Sequence, residues 1–185
     1  LIELYGWQSA MTALGMFAGL SLVPLIQETT GLAAQAGGPL LLMLVAAIGG
    51  RIFFGRLADV IGPIRAWMAA TAWQTLLMLG FIALDTMTAF WIFAPLYGFG
   101  YGGVMTGVLV TVRALTPAAR RASATGIVLA FGWAGHALGG WQGGLFFDLT
   151  GGYFWSFANA TMAGTINLLI VGTIFVLLQR RRATA

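Results

Sequence analysis

The chain has 185 residues, of which 59% are hydrophobic and only 8% charged, with a formal net charge of +4 at pH 7. Soluble domains carry roughly 25% charged residues, so this composition excludes an ordinary soluble fold and indicates an integral membrane protein in a lipid bilayer. The sequence contains no cysteine, which excludes disulfide bonds, thiolate metal sites and cysteine nucleophiles.

Six apolar stretches follow one another along the chain, each about as long as a helix must be to cross a bilayer. The sequence therefore predicts an all-α fold of six transmembrane helices, at about residues 5–27, 36–57, 64–84, 89–112, 122–147 and 154–178. The connections between them are short, so no soluble domain is expected between these helices.

The connections alternate in charge along the chain. The first, third and fifth carry acidic residues and no cation, namely Glu28, Asp85 and Asp148. The second, the fourth and the tail, with the helix ends beside them, carry every arginine except Arg51, namely Arg56, Arg65, Arg113, Arg120, Arg121, Arg180, Arg181 and Arg182. Cationic helix ends stay in the cytoplasm during insertion, so both termini of this segment are expected to be cytoplasmic. Arginines beside the cytoplasmic leaflet account for the positive charge without a nucleic-acid partner. The lysine-free, arginine-rich composition is typical of a GC-rich bacterial genome and favours a bacterial inner membrane.

Glycine is concentrated in two of the predicted helices, at residues 98–107 and 126–144, and the chain contains 27 glycines in all. Small residues let membrane helices approach closely, so both clusters predict close packing in a helical bundle. Residues 98–103 also read G-x-G-x-x-G. That segment lies inside an apolar helix with no preceding strand, which excludes a dinucleotide-binding loop.

The connection after the second stretch carries a distinctive motif. Asp59, at a predicted helix end, can bridge to arginines of a neighbouring helix, and Gly62 permits a tight turn before Pro63. Residues 55–65, GRLADVIGPIR, resemble the G-x-L-a-D-r-x-G-r-r loop of the major facilitator superfamily, with Val60 and Pro63 replacing two basic residues as in its weaker second copy. The resemblance implies a cytoplasmic gate formed by Gly55, Asp59, Gly62 and Arg65, with Arg120 or Arg121 opposite.

Three other segments are similar to the C-terminal half of the same superfamily. Residues 23–36 resemble the passage from helix seven to helix eight, residues 116–126 the turn before helix eleven, and residues 145–151 the turn before helix twelve. The resemblance covers nearly the whole chain and implies helices seven to twelve of a twelve-helix transporter. An N-terminal six-helix half would then be its partner, with the substrate between the two halves.

Arg51 is the most costly residue inside a predicted span. A guanidinium near the bilayer centre costs about 2.5–3.5 kcal/mol on insertion scales, and such residues normally face a cavity and have a function. Its flanking sequence carries no acid, while Ala47 and Gly55 one turn away leave space beside it. Two interpretations stay open from the residues alone. Arg51 binds a ligand, or it extends to the cytoplasmic boundary or pairs with Asp59.

His136, the only histidine, lies near the middle of the predicted fifth helix. Gly132 and Gly139 share its face and open space beside it, and Trp133 stands one turn away where it can form a pocket wall. A lone histidine is more often a hydrogen-bonded structural residue than a ligand, so both roles stay open.

The segments around Arg51 and His136 resemble a smaller group of families within this superfamily. Residues 50–55, GRIFFG, resemble the helix-eight arginine segment of the monocarboxylate porters and the oxalate/formate antiporters, in which that arginine binds the substrate carboxylate. Residues 134–140, AGHALGG, are similar to the helix-eleven stretch of the oxalate/formate group, with His136 in place of a lysine. The resemblance implies a secondary transporter of a small organic anion. Glu3 apart, no acidic residue lies in the spans, so proton coupling would use His136 or a residue outside this segment.

The remaining binding candidates are Tyr97, Tyr101, Gln74 and Trp133. The two tyrosines could donate hydrogen bonds to an anion or satisfy backbone carbonyls, and Gln74 could bind or pack. No nucleophile lies near the single histidine in sequence, so we expect no enzyme activity, cofactor or metal. Two alternatives to anion transport stay open: an exporter of drugs or neutral metabolites with an aromatic pocket, and a membrane assembly protein that does not transport.

Overall fold

The structure is a computed structural model that describes residues 17–32 and 35–183. Its helices are α1 (Phe17–Thr30), α2 (Gly37–Ile61), α3 (Pro63–Met78), α4 (Met87–Leu115), α5 (Arg121–Thr150) and α6 (Phe154–Ala183). Short 3₁₀ segments, Leu79–Ala83 and Ala118–Arg120, extend α3 and precede α5. All regular structure in the described residues is helical, as the sequence predicts, and most of the first predicted span, residues 5–16, lies outside them.

Four helices in the described part of the chain are long and apolar enough to cross a membrane, and they indicate a membrane protein. They are Gly37–Ile61, Pro63–Ala83, Met87–Leu115 and Phe154–Arg180. The fifth predicted span corresponds to α5, which has 30 residues but is less apolar because glycines replace large aliphatic residues along it. Among the described residues, four of the six predicted spans therefore have the length and the hydropathy of a membrane-spanning helix.

Short turns with specific backbone geometry join consecutive helices. Gly62 adopts φ +94°, a conformation that favours glycine, and its N–H donates to the Ala58 carbonyl at 3.0 Å to end α2. Pro63 then occupies the first turn of α3, where a missing N–H is tolerated. At the other end of the bundle, the Thr86 side chain caps α4 by accepting from the Ala89 N–H. The turn predicted at Gly62 is confirmed.

Helices α2 and α4 pack with their backbones almost in contact. A Cβ atom at Gly102 would fall on the carbonyl of Ala47, and one at Gly50 would fall on the carbonyl of Phe99. The same is true of Gly98 one turn earlier on α4. Between membrane helices such close approach gains dispersion energy that larger side chains would prevent. The glycine cluster at residues 98–107 is therefore a helix-packing surface.

The same cluster also serves a second neighbour, α3. Gly100 lies against the indole of Trp73, and Gly107 lies against the Cα and Cβ of Trp67. The two tryptophans fill the space that these glycines leave, and the Trp73 indole N–H donates to the Leu96 carbonyl at 2.9 Å. Because α4 presents glycines to both α2 and α3, it is the central helix of the packed part of the bundle.

Two clusters of buried side chains form the core at different levels of the bundle. The cluster nearer the α3–α4 turn contains large aromatic residues: Phe81, Phe90, Tyr97 and Phe157. The cluster nearer the α2–α3 turn is built mainly of smaller side chains around one indole: Trp67, Ala70, Val104, Val108, Val112 and Val171. Helix α6 contributes to both clusters through its packing against α3.

One buried side chain at the interface of α3 and α6 has unmet hydrogen-bonding capacity. Asn167 is fully buried on the α6 face that also carries Ala163, Gly164 and Val171, and neither its amide nitrogen nor its amide oxygen has a partner in the part of the chain that the structure describes. Removing such groups from water without a partner costs free energy. Asn167 is thus a position of local instability in the interface.

Helix α5 is packed much less closely than the others. It contacts α6, α1 and α4, and only small or mid-sized residues on it are buried: Ala124, Val128, Gly135, Gly139 and Gly143. Trp133 and Trp141 are 72% and 67% exposed. In the described part of the chain, no atom of another element lies within 4 Å of where a Cβ at Gly126 or Gly132 would be. This helix is therefore the least constrained element of the described bundle.

Candidate functional site

Arg51 stands on α2 at the border of the face that is buried against α4. The buried positions of α2 recur every three or four residues, at Pro39, Met43, Ala47, Gly50, Phe54 and Ala58. Arg51 follows Gly50 and is exposed, together with the large apolar side chains of Ile48 and Ile52 on the same helix. Its guanidinium makes no hydrogen bond or ion pair with any described residue.

The structure does not pair Arg51 with Asp59, which was one of the structural alternatives. The two residues are eight positions apart on one straight helical segment, about 12 Å along its axis. Both side chains are exposed, and no ion pair involving either is present within the described residues. Arg51 is thus a cation without an ionic partner among the described residues, on a helix that is apolar enough to span a membrane.

His136 lies on α5 with its ring partly buried beside Trp133. Its Nδ1 lies 3.0 Å from the Gly132 carbonyl oxygen, and because a carbonyl can only accept, Nδ1 carries a proton and donates it. Nε2 makes no hydrogen bond within residues 17–32 and 35–183. The Trp133 and His136 rings are 5.6 Å apart between centroids, with an interplanar angle of 40°. Helix geometry therefore fixes the tautomer and leaves one ring nitrogen available.

Arg51 and His136 stand on two helices that flank the same neighbours. Helix α2 packs on α4, α3 and α1, and helix α5 packs on α6, α1 and α4. The shared neighbours are α1 and α4. No hydrogen bond joins the two side chains in the described part of the chain, so any cooperation between them would run through a ligand that both contact.

Tyr97 and Gln74 pair with each other in the core. The Gln74 amide Nε2 donates to the Tyr97 hydroxyl at 2.7 Å, and both side chains are buried. The Tyr97 ring packs edge-on against Phe81, with centroids 5.1 Å apart. Tyr101, one turn away, is partly buried and contacts both core clusters. This arrangement places Gln74 and Tyr97 inside the bundle, where their hydrogen bond joins α3 to α4, with Tyr101 partly buried against the same core.

The predicted gate residues at the α2–α3 turn make no latch in this structure. Asp59 is exposed and forms no ion pair with an arginine whose side chain is described. The Arg65 guanidinium instead lies over the Phe175 ring of α6, 5.2 Å from its centroid. Arg121 donates from Nε to the Thr116 carbonyl at 3.1 Å, and Arg120 is exposed. The bridge expected at Asp59 is thus not formed with any arginine whose side chain the structure describes.

Gly55 faces the helix at the centre of the bundle, since a Cβ at this position would lie 3.8 Å from Cγ2 of Thr106. Four residues separate it from Arg51, so the two share one side of α2. This ordinary van der Waals spacing contrasts with the close contact at Gly50. An alanine at Gly55 would consequently fit against Thr106 without displacing α4.

A cavity of about 230 Å³ opens beside Arg65 at the ends of several helices. Its lining residues are Ile61, Gly62, Pro63, Ile64, Arg65, Leu115, Phe175, Leu178 and Gln179. No local sequence pattern indicates this cavity, because its lining comes from three separate segments, around Arg65, Leu115 and Phe175. No three His, Asp, Glu or Cys side chains among the described residues come together as a metal site would require.

The opposite end of the bundle carries acidic groups around a tyrosine. Burial raises the pKa of the Tyr153 hydroxyl, and the nearby carboxylates of Glu28 and Asp148 raise it further. A Cβ at Gly152 would lie 3.6 Å from Oε1 of Glu28. The two ends of the bundle therefore differ in charge as the alternation along the sequence predicts.

No protein-family model matches the chain, and no curated protein is significantly similar to it. Functional assignment therefore rests on the chemistry of the residues described above and on the resemblance carried by their motifs.

Proposed function

We propose that this chain is the C-terminal six-helix half of a secondary active transporter of the major facilitator type, and that it moves a small organic anion by alternating access. The observation that supports this most strongly is Arg51. Its guanidinium is exposed among apolar side chains and lacks an ionic partner among the described residues, on a helix that is long and apolar enough to span a bilayer.

The position of Arg51 along α2 makes a purely structural role costly. Ten residues separate it from Ile61 at the helix end, which is roughly 15 Å along the axis. A side chain that extends toward the interface covers only part of that distance. An arginine at such a depth costs about 2.5–3.5 kcal/mol on insertion scales and normally faces water or a ligand. A water-filled cavity that admits an anion would remove this cost.

The chemistry of the two candidate ligands suits a carboxylate. A guanidinium donates two parallel hydrogen bonds to the two oxygens of a carboxylate, which fixes the orientation of the substrate. The Nε2 nitrogen of His136 donates to an anion when the ring is protonated and accepts when it is neutral. A proton held at Nε2 would move together with the anion, so the same residue would link anion movement to protons.

The loose packing of α5 supports a role for this helix as a moving element of the mechanism. Alternating access requires one group of helices to move against another around a central site. Helix α5 carries His136 and has open space at Gly126 and Gly132. The gate residues of the α2–α3 turn would latch one conformation and be separated in the other.

The transporter would lie in a bacterial inner membrane with both ends of this segment cytoplasmic, beside an N-terminal six-helix half.

Counterflow of labelled lactate, formate and oxalate in proteoliposomes containing the full-length protein tests this proposal. Arg51→Gln should lower exchange at least tenfold, because it removes the charge and the paired donors. Arg56→Gln is the matched control, since Arg56 is an exposed arginine at the end of the same helix. Equal exchange by Arg51→Gln and the control would show that Arg51 does not bind the substrate.

A second candidate function is export of drugs or neutral metabolites. The exposed indoles of Trp133 and Trp141 on α5 favour it, because aromatic rings bind planar apolar solutes. Efflux of a fluorescent cationic dye from loaded vesicles distinguishes the two functions. Dye efflux that persists in Arg51→Gln and falls in Trp133→Ala would favour the exporter.

A further inference from the structure

The cavity beside Arg65 lies where all four candidate membrane spans end. Its walls include Ile61 and Leu115 at the last positions of two spans, Pro63 at the first position of a third, and Gln179 next to the last position of the fourth. Apolar helix ends mark the boundary between the hydrocarbon core and the headgroups of a bilayer. The cavity therefore opens at the depth at which lipid phosphates lie.

Among the described residues, the lining of the cavity combines apolar walls with one cation. Ile64, Phe175 and Leu178 provide the apolar surface, and Arg65 provides the guanidinium. No acidic side chain of the described residues lines it. The guanidinium is held over the Phe175 ring, a contact that orients the group without neutralising its charge. A ligand that fits must carry a negative charge next to an apolar portion.

The volume distinguishes between kinds of anionic ligand. Pockets that enclose a whole drug-sized molecule measure about 300–1,000 Å³, and this cavity measures about 230 Å³. It is large enough for a charged headgroup and the adjoining carbons, while the rest of the ligand must lie outside. At the membrane boundary that remainder would be acyl chains along the outer surface of α3 and α6. Basic pockets between membrane helices are known to hold lipid headgroups.

We propose that this cavity is a binding site for an anionic phospholipid, with the lipid phosphate on Arg65 and the first part of an acyl chain against Phe175 and Leu178. The site is separate from Arg51 and His136, and it would hold even if the chain transported nothing. A bound lipid would join the α2–α3 turn to the end of α6. It would thereby stabilise the region that carries the predicted gate.

Thermal unfolding of the full-length protein in detergent, titrated with phosphatidylglycerol or phosphatidylcholine, tests this site. The wild type should show a larger upward shift with phosphatidylglycerol. In Arg65→Gln the concentration of phosphatidylglycerol for half of that shift should rise about fivefold, the effect of one arginine beside an anionic membrane surface. Arg56→Gln is the matched control, because Arg56 is exposed near the same helix end and does not line the cavity.

A second variant keeps the test decisive if Arg65→Gln is unstable. Leu178→Trp fills the apolar part of the cavity and leaves the guanidinium in place, and it should also lose the preference for phosphatidylglycerol. Retention of the full preference in both Arg65→Gln and Leu178→Trp would overturn the proposal. An equal shift with inorganic phosphate alone would also overturn it, because the site would then bind a free anion and not a lipid.

Discussion

The contact between α2 and α4 gives a sharp test of how this bundle is held together. A Cβ atom at Gly102 would lie 2.8 Å from the carbonyl carbon of Ala47 and 2.9 Å from its Cα. Carbon atoms in favourable contact are about 3.5–4.0 Å apart. Gly102→Ala must therefore push the two helices apart by more than half an ångström, and the atoms it meets belong to the backbone, which cannot rotate away.

The size of the effect follows from two opposing terms. Overpacking of this kind costs about 1–3 kcal/mol. Alanine also favours the helix over glycine by about 1 kcal/mol, which offsets part of that cost. Gly132→Ala on α5 carries the second term alone, because no described neighbour outside its own helix backbone lies within 4 Å of the added Cβ. The difference between the two variants should therefore equal the overpacking term, about 1–3 kcal/mol.

Unfolding by sodium dodecyl sulfate in mixed micelles gives the free energy of unfolding of both variants and the wild type. We expect Gly102→Ala to be less stable than wild type and Gly132→Ala to be equal or more stable. Equal unfolding free energies for the two variants would refute the close backbone contact between α2 and α4.

Two other predictions concern stability. Asn167→Leu should raise the free energy of unfolding by about 1 kcal/mol, because it replaces a buried amide that has no partner with an apolar side chain of similar size. Gln74→Leu removes a buried amide that donates to Tyr97 and should lower it. Detergent unfolding checks both, and a gain in both variants would contradict the assigned hydrogen bond. Tyr153 should make the protein alkali-sensitive. Its pKa is raised in the folded state, so its contribution to stability is present below the unfolded pKa, roughly 10, and is lost as pH rises through the folded value. Tyr153→Phe should therefore lose less stability than wild type when unfolding is measured between neutral and strongly alkaline pH. An identical pH dependence would count against the burial of this hydroxyl beside Glu28 and Asp148.

Backbone features of this fold follow closely from the sequence. The predicted stretches at residues 36–57, 64–84, 89–112, 122–147 and 154–178 each fall on one helix, because apolar length and charged turns set the ends of membrane helices. Gly62 followed by Pro63 places a turn where the structure has one. The glycine cluster around Gly102 also lies in a close helix interface, as its composition predicts.

The direction in which side chains point was far harder to predict. In a soluble helix, polar residues mark the outer face, but α2 exposes large apolar residues such as Leu41 and Ile48 because its outer face suits lipid. Periodicity therefore could not show that Tyr97 points into the core while Arg51 stays exposed. The contact of Arg65 with Phe175 joins segments far apart in sequence, and no local pattern indicates it.

Thiol labelling tests whether Arg51 faces a water-filled pathway, because the 185 residues of this segment contain no cysteine and any cysteine elsewhere in the full-length protein can be replaced. Leu44 lies two turns from Arg51 on the same side of α2, while Phe53 lies nearly opposite, and their exposed fractions are 49% and 51%. In membranes containing the full-length protein, Leu44→Cys should react rapidly with a water-soluble thiol reagent, and a small carboxylate should slow the reaction. Phe53→Cys should react slowly and without protection. Equal labelling rates at the two positions, unaffected by carboxylates, would contradict the account.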